Sequence, residues 1–181
     1  IYRWDLDKTY LRTQFDSLRD LLRTALQGPA EKENVPGSAE LIQALRQDAA
    51  GNAEVYFISG SPKQMRTVLT EKLAIDGVEF DGFILKDNLR NILRGRFRAV
   101  KEQVGYKLPA LLRARAHAQS MSGETLFGDD AERDAFIYAF YGELLARRID
   151  ASTLDEVLSI AGVYPDVKET IITALAAVPR C

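Results

Sequence analysis

Apolar residues follow two different spacings along this chain. Short, nearly continuous runs of β-formers appear at residues 1–4, 54–59, 78–86 and 123–127, each bounded by acids, glycine or proline, and these predict strands. The run Val55-Tyr56-Phe57-Ile58 is uninterrupted, which suits a central strand covered on both faces of a parallel sheet. Gly82 breaks the third run. Between the runs, apolar positions recur three or four apart. Leu11, Phe15, Leu18, Leu22 and Leu26 predict an amphipathic helix over residues 9–26, closed by Gly28-Pro29. A polar, irregular connection follows at 30–36, then a helix over 39–48 with Ser38 as its N-cap.

A third helix is expected over 64–73, with Pro62 as the first helical residue after a tight turn at Gly60-Ser61. Leu108, Leu111 and Leu112 predict another, with Lys107 and Pro109 at its start. One more covers 135–147. Beyond Ile149 the pattern is helical only, with Leu154, Val157, Leu158 and Ala161 in one helix and residues 166–178 in the last. Strands alternating with helices predict an α/β fold with a mainly parallel sheet.

Composition narrows the class. The chain has 181 residues, 46% hydrophobic and 28% charged, with a formal net charge of −2, which fits one compact domain with a real core. No apolar run reaches the roughly 18 residues that span a bilayer, and no basic-then-apolar leader precedes Ile1, so a cytoplasmic setting is expected. The single cysteine, Cys181, supports neither a disulfide framework nor a thiol zinc site, and the single histidine, His117, falls in a helical run. Between Lys86 and Arg115 nine basic residues face two acidic ones. No aromatic interleaving accompanies them and the whole chain is slightly acidic, so nucleic acid is not an expected partner.

The candidate chemistry lies at the ends of the predicted strands. Asp5 and Asp7 follow the first, and two ionised carboxylates in a dry pocket need a divalent cation or a shared proton. With Mg²⁺, Asp5 could serve as ligand and nucleophile together and Asp7 could pass protons to a leaving group. Ser59 and Ser61 follow the second strand, and their hydroxyls with the Gly60 turn and the next helix start would make an anion cradle. Asp129 and Asp130 follow the last strand, with Asp134 close behind. Carboxyl ends of parallel strands meet in one crevice. Asp5, Asp7, Ser59, Lys107 and Asp129 therefore form the parts list of metal-assisted phosphoryl transfer.

Asp5-Leu6-Asp7-Lys8-Thr9, Ser59, Lys107 and Gly128-Asp129-Asp130 through Asp134 resemble the four ordered motifs of haloacid dehalogenase (HAD) superfamily phosphatases. Pro36-Gly37, Ser59-Gly60-Ser61-Pro62, Leu85-Lys86-Asp87 and Tyr106-Lys107 are similar to the actin-patch type of phosphatidate phosphatase catalytic domain and its bacterial relatives. The resemblance implies a Rossmann-like three-layer α/β/α sandwich without a large cap, a phosphatase core at residues 1–148 and packed helices at 149–181. It also implies roles: Asp5 attacks phosphorus, Asp7 is the acid and base, and Thr9, Ser59, Gly60 and Lys107 serve the phosphoryl group. Mg²⁺ would be held by Asp5, the Asp7 carbonyl and Asp129, with Asp130 or Asp134 in support. Lys107 follows tyrosine where the relatives usually carry histidine.

A phosphorylated substrate, soluble or in a membrane surface, is the implied partner; oligomeric state is left open. Two other readings compete. A phospho-acceptor receiver domain uses similar groups, but its acidic pair comes first and here an acidic pair comes last. A non-catalytic module that keeps the phosphate and metal site is the other.

Overall fold

Phe57 shows why the predicted strands assemble. Its ring is wholly buried and meets Tyr10, Phe80 and Phe83 edge-on, at centroid distances of 5.6, 5.9 and 6.0 Å. Each such contact adds about 0.5–1.5 kcal/mol beyond the area buried. The computed structural model describes residues 1–12, 28–48, 53–86, 103–118, 123–130 and 133–179. Along the chain come β1 (Tyr2–Asp5), α1 (Ser38–Asp48), β2 (Val55–Pro62), α2 (Arg66–Ile75), β3 (Gly82–Lys86), α3 (Val104–His117), β4 (Thr125–Phe127), α4 (Asp134–Leu145), α5 (Ala151–Ile160) and α6 (Pro165–Ala177). The four strands are all parallel, in the order β3-β2-β1-β4, so this is a Rossmann-like α/β fold.

The described residues belong to two compact units. The first takes Ile1–Leu89 and Gly123–Ala131, the second Arg90–Ser122 and Glu132–Cys181. In the first unit, Asp5 pairs with Ile58 across the β1–β2 register and Trp4 pairs with Phe127 across β1–β4. Trp4 also stacks on Phe127 at 3.9 Å with the planes 9° apart. Leu6, Leu11, Ile42, Val55, Leu69, Leu73 and Leu85 fill the rest of this core. Arg3 is buried inside β1, where an unpaired guanidinium would be costly. It donates to Glu124 from Nε at 3.0 Å and from Nη2 at 2.5 Å, and lies 5.2 Å over the Tyr56 ring. In the second unit α3 packs against α4 and α6, with Leu108, Leu111 and Leu112 wholly buried.

Several boundaries differ from the pattern-based expectation. Residues 8–10 form a turn, and Leu11 makes a β-bridge to Asn34, so helix does not begin at Thr9; the remainder of that predicted helix, 13–26, lies outside the described residues. Ser38 is the first residue of α1 and does not cap it, because its hydroxyl donates to the Val35 carbonyl at 2.8 Å. β2 runs on through Gly60-Ser61-Pro62, then a 3-10 turn at Lys63–Met65 precedes α2, so Pro62 ends a strand and opens no α-helix. β3 starts only at Gly82. Pro109 sits inside α3, which begins at Val104; the turn forfeits one backbone hydrogen bond there, and burial of the leucines around it outweighs the loss. The N-cap of α5 is Asp150, whose carboxylate accepts from Thr153 N at 2.8 Å. Among the described residues no helix is long and apolar enough to cross a membrane.

Candidate active site

Asp5 closes β1, and pairing continues one residue further as Leu6 N donates to Ile58 O at 3.2 Å. The chain then folds back sharply. Tyr10 N and Leu11 N both donate to Leu6 O, at 3.1 and 2.8 Å, and Lys8 takes φ 62°. That left-handed conformation is costly for a side chain other than glycine, by about 1 kcal/mol. Its consequence is local geometry: Thr9 Oγ1 turns back to donate to Asp5 Oδ2 at 3.3 Å, and Asp7 is carried inward beside β2.

β2 meets Asp7 with two hydroxyls. Ser59 Oγ donates to Asp7 Oδ2 at 2.6 Å, and Ser61 Oγ lies 3.2 Å from both carboxylate oxygens. Ser61 N in turn donates to Ser59 Oγ at 2.9 Å. Extended backbone puts residues i and i+2 on one face, so the strand's continuation past Ser59 is what lets both serines reach one acceptor. Donors of this kind stabilise a carboxylate withdrawn from water. The helix start expected at Pro62 lies further along the chain, and Ser59 and Ser61 stand as a pair on a strand, facing Asp7. Gly60 lies between them, half-buried.

At the end of β4, Asp129 is half-buried, and carboxylate oxygens of Asp5 and Asp129 lie within 4.8 Å of each other. Two like charges at that separation repel by about 3.5 kcal/mol or more at an effective dielectric of about 20. A cation between them removes this repulsion, and carboxylate oxygens are the donors a hard divalent ion prefers. The donor set therefore fits the expected metal. Asp130, the next residue, is exposed.

In the second unit, Lys107 and Asp134 are both buried and meet each other. Lys107 Nζ donates to Asp134 Oδ1 at 2.5 Å, and Tyr138 OH donates to Oδ2 at 3.3 Å. Neither pairing is visible in the sequence, where Lys107 and Asp134 carry separate roles. His117 is exposed on α3, with Nδ1 2.7 Å from the Arg113 carbonyl, as a solvated helix residue would be. The basic residues at 87–102 and Cys181 lie outside the described residues.

One charged group at the Asp7 end of the loop has no counterpart in the motif reading. Lys32 sits in the connection taken as polar and irregular, yet it is buried, and Asp7 is the anion that most favours its charge. A lysine in a polar stretch looks solvated on paper, and no spacing marks it out.

A family model for the catalytic domain of phosphatidate phosphatase APP1 matches residues 4–155. This chain belongs to that family. The APP1-type match starts inside β1 and ends inside α5, so it contains every residue discussed above from Asp5 to Asp134. Membership implies a phosphatase, a hydrolase acting on a phosphorylated substrate. No curated protein and no solved structure gives a match.

Proposed function

We propose that this APP1-family domain is a Mg²⁺-dependent phosphomonoesterase that works through an aspartyl-phosphate, with phosphatidate as its leading substrate. The observation that carries the reading is the loop after β1. Asp5 stands beside Asp129, as a metal-binding nucleophile would, and Asp7 is bracketed by two hydroxyls, as an oriented proton carrier would be.

In the proposed cycle an Asp5 oxygen attacks phosphorus, the bond from phosphorus to the alcohol oxygen breaks, and Asp7 gives that oxygen its proton. Asp7, now ionised and aligned by Ser59 and Ser61, next takes a proton from water as the water attacks the phosphoryl-aspartate. Phosphate leaves and Asp5 is regenerated. Bound Mg²⁺ would neutralise charge on the phosphoryl oxygens, held by Asp5, the Asp7 carbonyl and Asp129. Motif order assigns Lys107 to the phosphoryl charge, Asp130 or Asp134 to support of the ion, and Thr9 and Gly60 to the phosphate loop. Residues 1–148 form the catalytic core in this reading, and phosphatidate as substrate would bring it to a lipid surface.

Hydrolysis of an aryl phosphate should stop on addition of EDTA and return with excess Mg²⁺. Asp5→Asn should lower kcat by about 10⁴-fold or more; turnover surviving in that variant refutes the assigned nucleophile. Release of phosphate from phosphatidate vesicles, compared with soluble phosphoesters at equal concentration, decides the substrate class.

A further inference from the structure

Asp76 is the C-cap of α2, where helix electrostatics disfavour a carboxylate, because the carbonyls of a helix C-terminus already carry partial negative charge. Lys72, one turn back, offsets this with an ion pair at 2.6 Å to Oδ1. The other oxygen serves segments outside the helix. Asp76 Oδ2 accepts from Tyr10 OH at 2.6 Å and from Asn34 Nδ2 at 2.9 Å, residues 66 and 42 positions away. Those two donors flank a single feature. Leu11 makes a parallel bridge to Asp7 and an antiparallel bridge to Asn34, and Tyr10 is its neighbour in the chain. One carboxylate oxygen therefore grips both segments of the pairing that carries Asp7. Tyr10 is wholly buried with its ring edge-on to Phe57 at 5.6 Å, and its carbonyl accepts from Val35 N at 2.8 Å, so the phenol reaches Asp76 from a fixed direction.

Asp7 is thus anchored twice. Ser59 and Ser61 hold its carboxylate from β2, while the Leu11 bridge holds its main chain. A proton carrier works only when kept within about 0.5 Å of its productive position. We propose that Asp76 is a positioning residue of the active site: by clamping Tyr10 and Asn34 on either side of the Leu11 bridge, it holds Asp7 in line with the leaving-group oxygen. The proposal rests on the phosphatase reading and adds a residue that its motifs do not contain.

Asp76→Ala, Tyr10→Phe and the wild-type domain would be compared on an alkyl phosphate and on nitrophenyl phosphate, with Mg²⁺ present. An alkoxide needs a proton as it leaves and a nitrophenolate hardly does, so misplacing the acid penalises the alkyl ester more. For Asp76→Ala we expect kcat/KM on the alkyl phosphate to fall about 10- to 100-fold, with a loss at least about fivefold smaller on nitrophenyl phosphate. Tyr10→Phe, which removes one hydroxyl and keeps the ring, should show the same selectivity, and it carries the comparison alone if Asp76→Ala does not fold. Asp81 supplies the control, a carboxylate that accepts from Arg46 Nη1 and Val55 N, both at 2.8 Å, at the amino end of β2. Asp81→Ala should lower the unfolding temperature yet leave kcat/KM on both esters within about twofold. A second readout needs no turnover: hydrogen exchange at the Leu11 and Val35 amides should quicken in Asp76→Ala and Tyr10→Phe and not in Asp81→Ala. Equal losses on the two esters, no loss on either, or the same losses in Asp81→Ala would make Asp76 a structural residue and overturn the proposal, while the phosphatase reading stands. If the wild type hydrolyses neither ester, the phosphatase reading fails, and exchange at Leu11 and Val35 decides by itself whether Asp76 holds the segment paired with Asp7.

Discussion

The two serines on Asp7 are not equivalent. Ser59 makes one short bond at 2.6 Å, whereas Ser61 divides its approach between two oxygens at 3.2 Å. A hydrogen bond to a charged group contributes about 1.5–3 kcal/mol, and if that loss reaches the transition state the rate falls by about 10–100-fold. Ser59→Ala should therefore lower kcat/KM toward the larger end of that range, and Ser61→Ala toward the smaller end, measured on an aryl phosphate. Equal activity in Ser59→Ala and the wild type would detach this pair from Asp7 function. The serines were legible as hydroxyls near a strand end, but their target was not, because it depends on β2 staying extended for three residues after Ser59. Lys32 was not legible at all. Its burial comes from where an irregular connection runs.

Among elements, the β2–β3 edge shows how neighbouring strands choose each other's residues. Gly82 stands opposite Tyr56, and a Cβ built on it would come within 2.5 Å of Tyr56 Cδ1 and 2.8 Å of Cε1. The ring has little room to move away, because Arg3 lies over it and is itself tied to Glu124. Gly82→Ala should lower unfolding free energy by about 1–3 kcal/mol, read as a lower urea midpoint with unchanged slope. No loss of stability would mean that the ring and Arg3 shift at little cost. At the end of α2, Asp76 collects Tyr10 OH at 2.6 Å, Asn34 Nδ2 at 2.9 Å and Lys72 Nζ at 2.6 Å. That cluster joins the turn after β1 to a helix, so its integrity sets the position of Tyr10 and Leu11. Periodicity located this helix but missed its partners, since a polar cluster has no repeat to detect.

At the scale of the molecule, the first unit should be acid-labile for a nameable reason. Burial pushes the Asp76 carboxyl up, but hydrogen bonds from Lys72, Tyr10 and Asn34 outweigh it and the pKa ends below the ordinary 3.8. Burial likewise pushes Asp81 up, and the Arg46 guanidinium with the Val55 N–H brings it below 3.8. A carboxyl depressed in the folded state contributes stability that is fully present above its unfolded pKa and is lost as pH falls through the folded value. Urea unfolding followed by Trp4, the sole tryptophan and a buried residue of this unit, should be flat between about pH 7 and 5 and weaken below about pH 4. Asp76→Asn should shallow that acid limb; an unchanged limb would remove Asp76 from the cause. Because the chain has two compact units, a probe in the second need not report the same transition.

By itself the sequence determined which segments are strands, that the sheet is parallel, and that acids and hydroxyls gather at strand ends. These are local matters: side-chain period, β-branched and aromatic content, and the residue types that stop a strand. Only the tertiary structure decided that Ser59 and Ser61 address Asp7, that Lys107 and Asp134 pair, and that Lys32 is buried beside the loop. The serine and lysine contacts join residues 27 to 54 positions apart, the former fixed by the register of β2 against β1 and the latter by the packing of α3 on α4, and no short-range pattern encodes either.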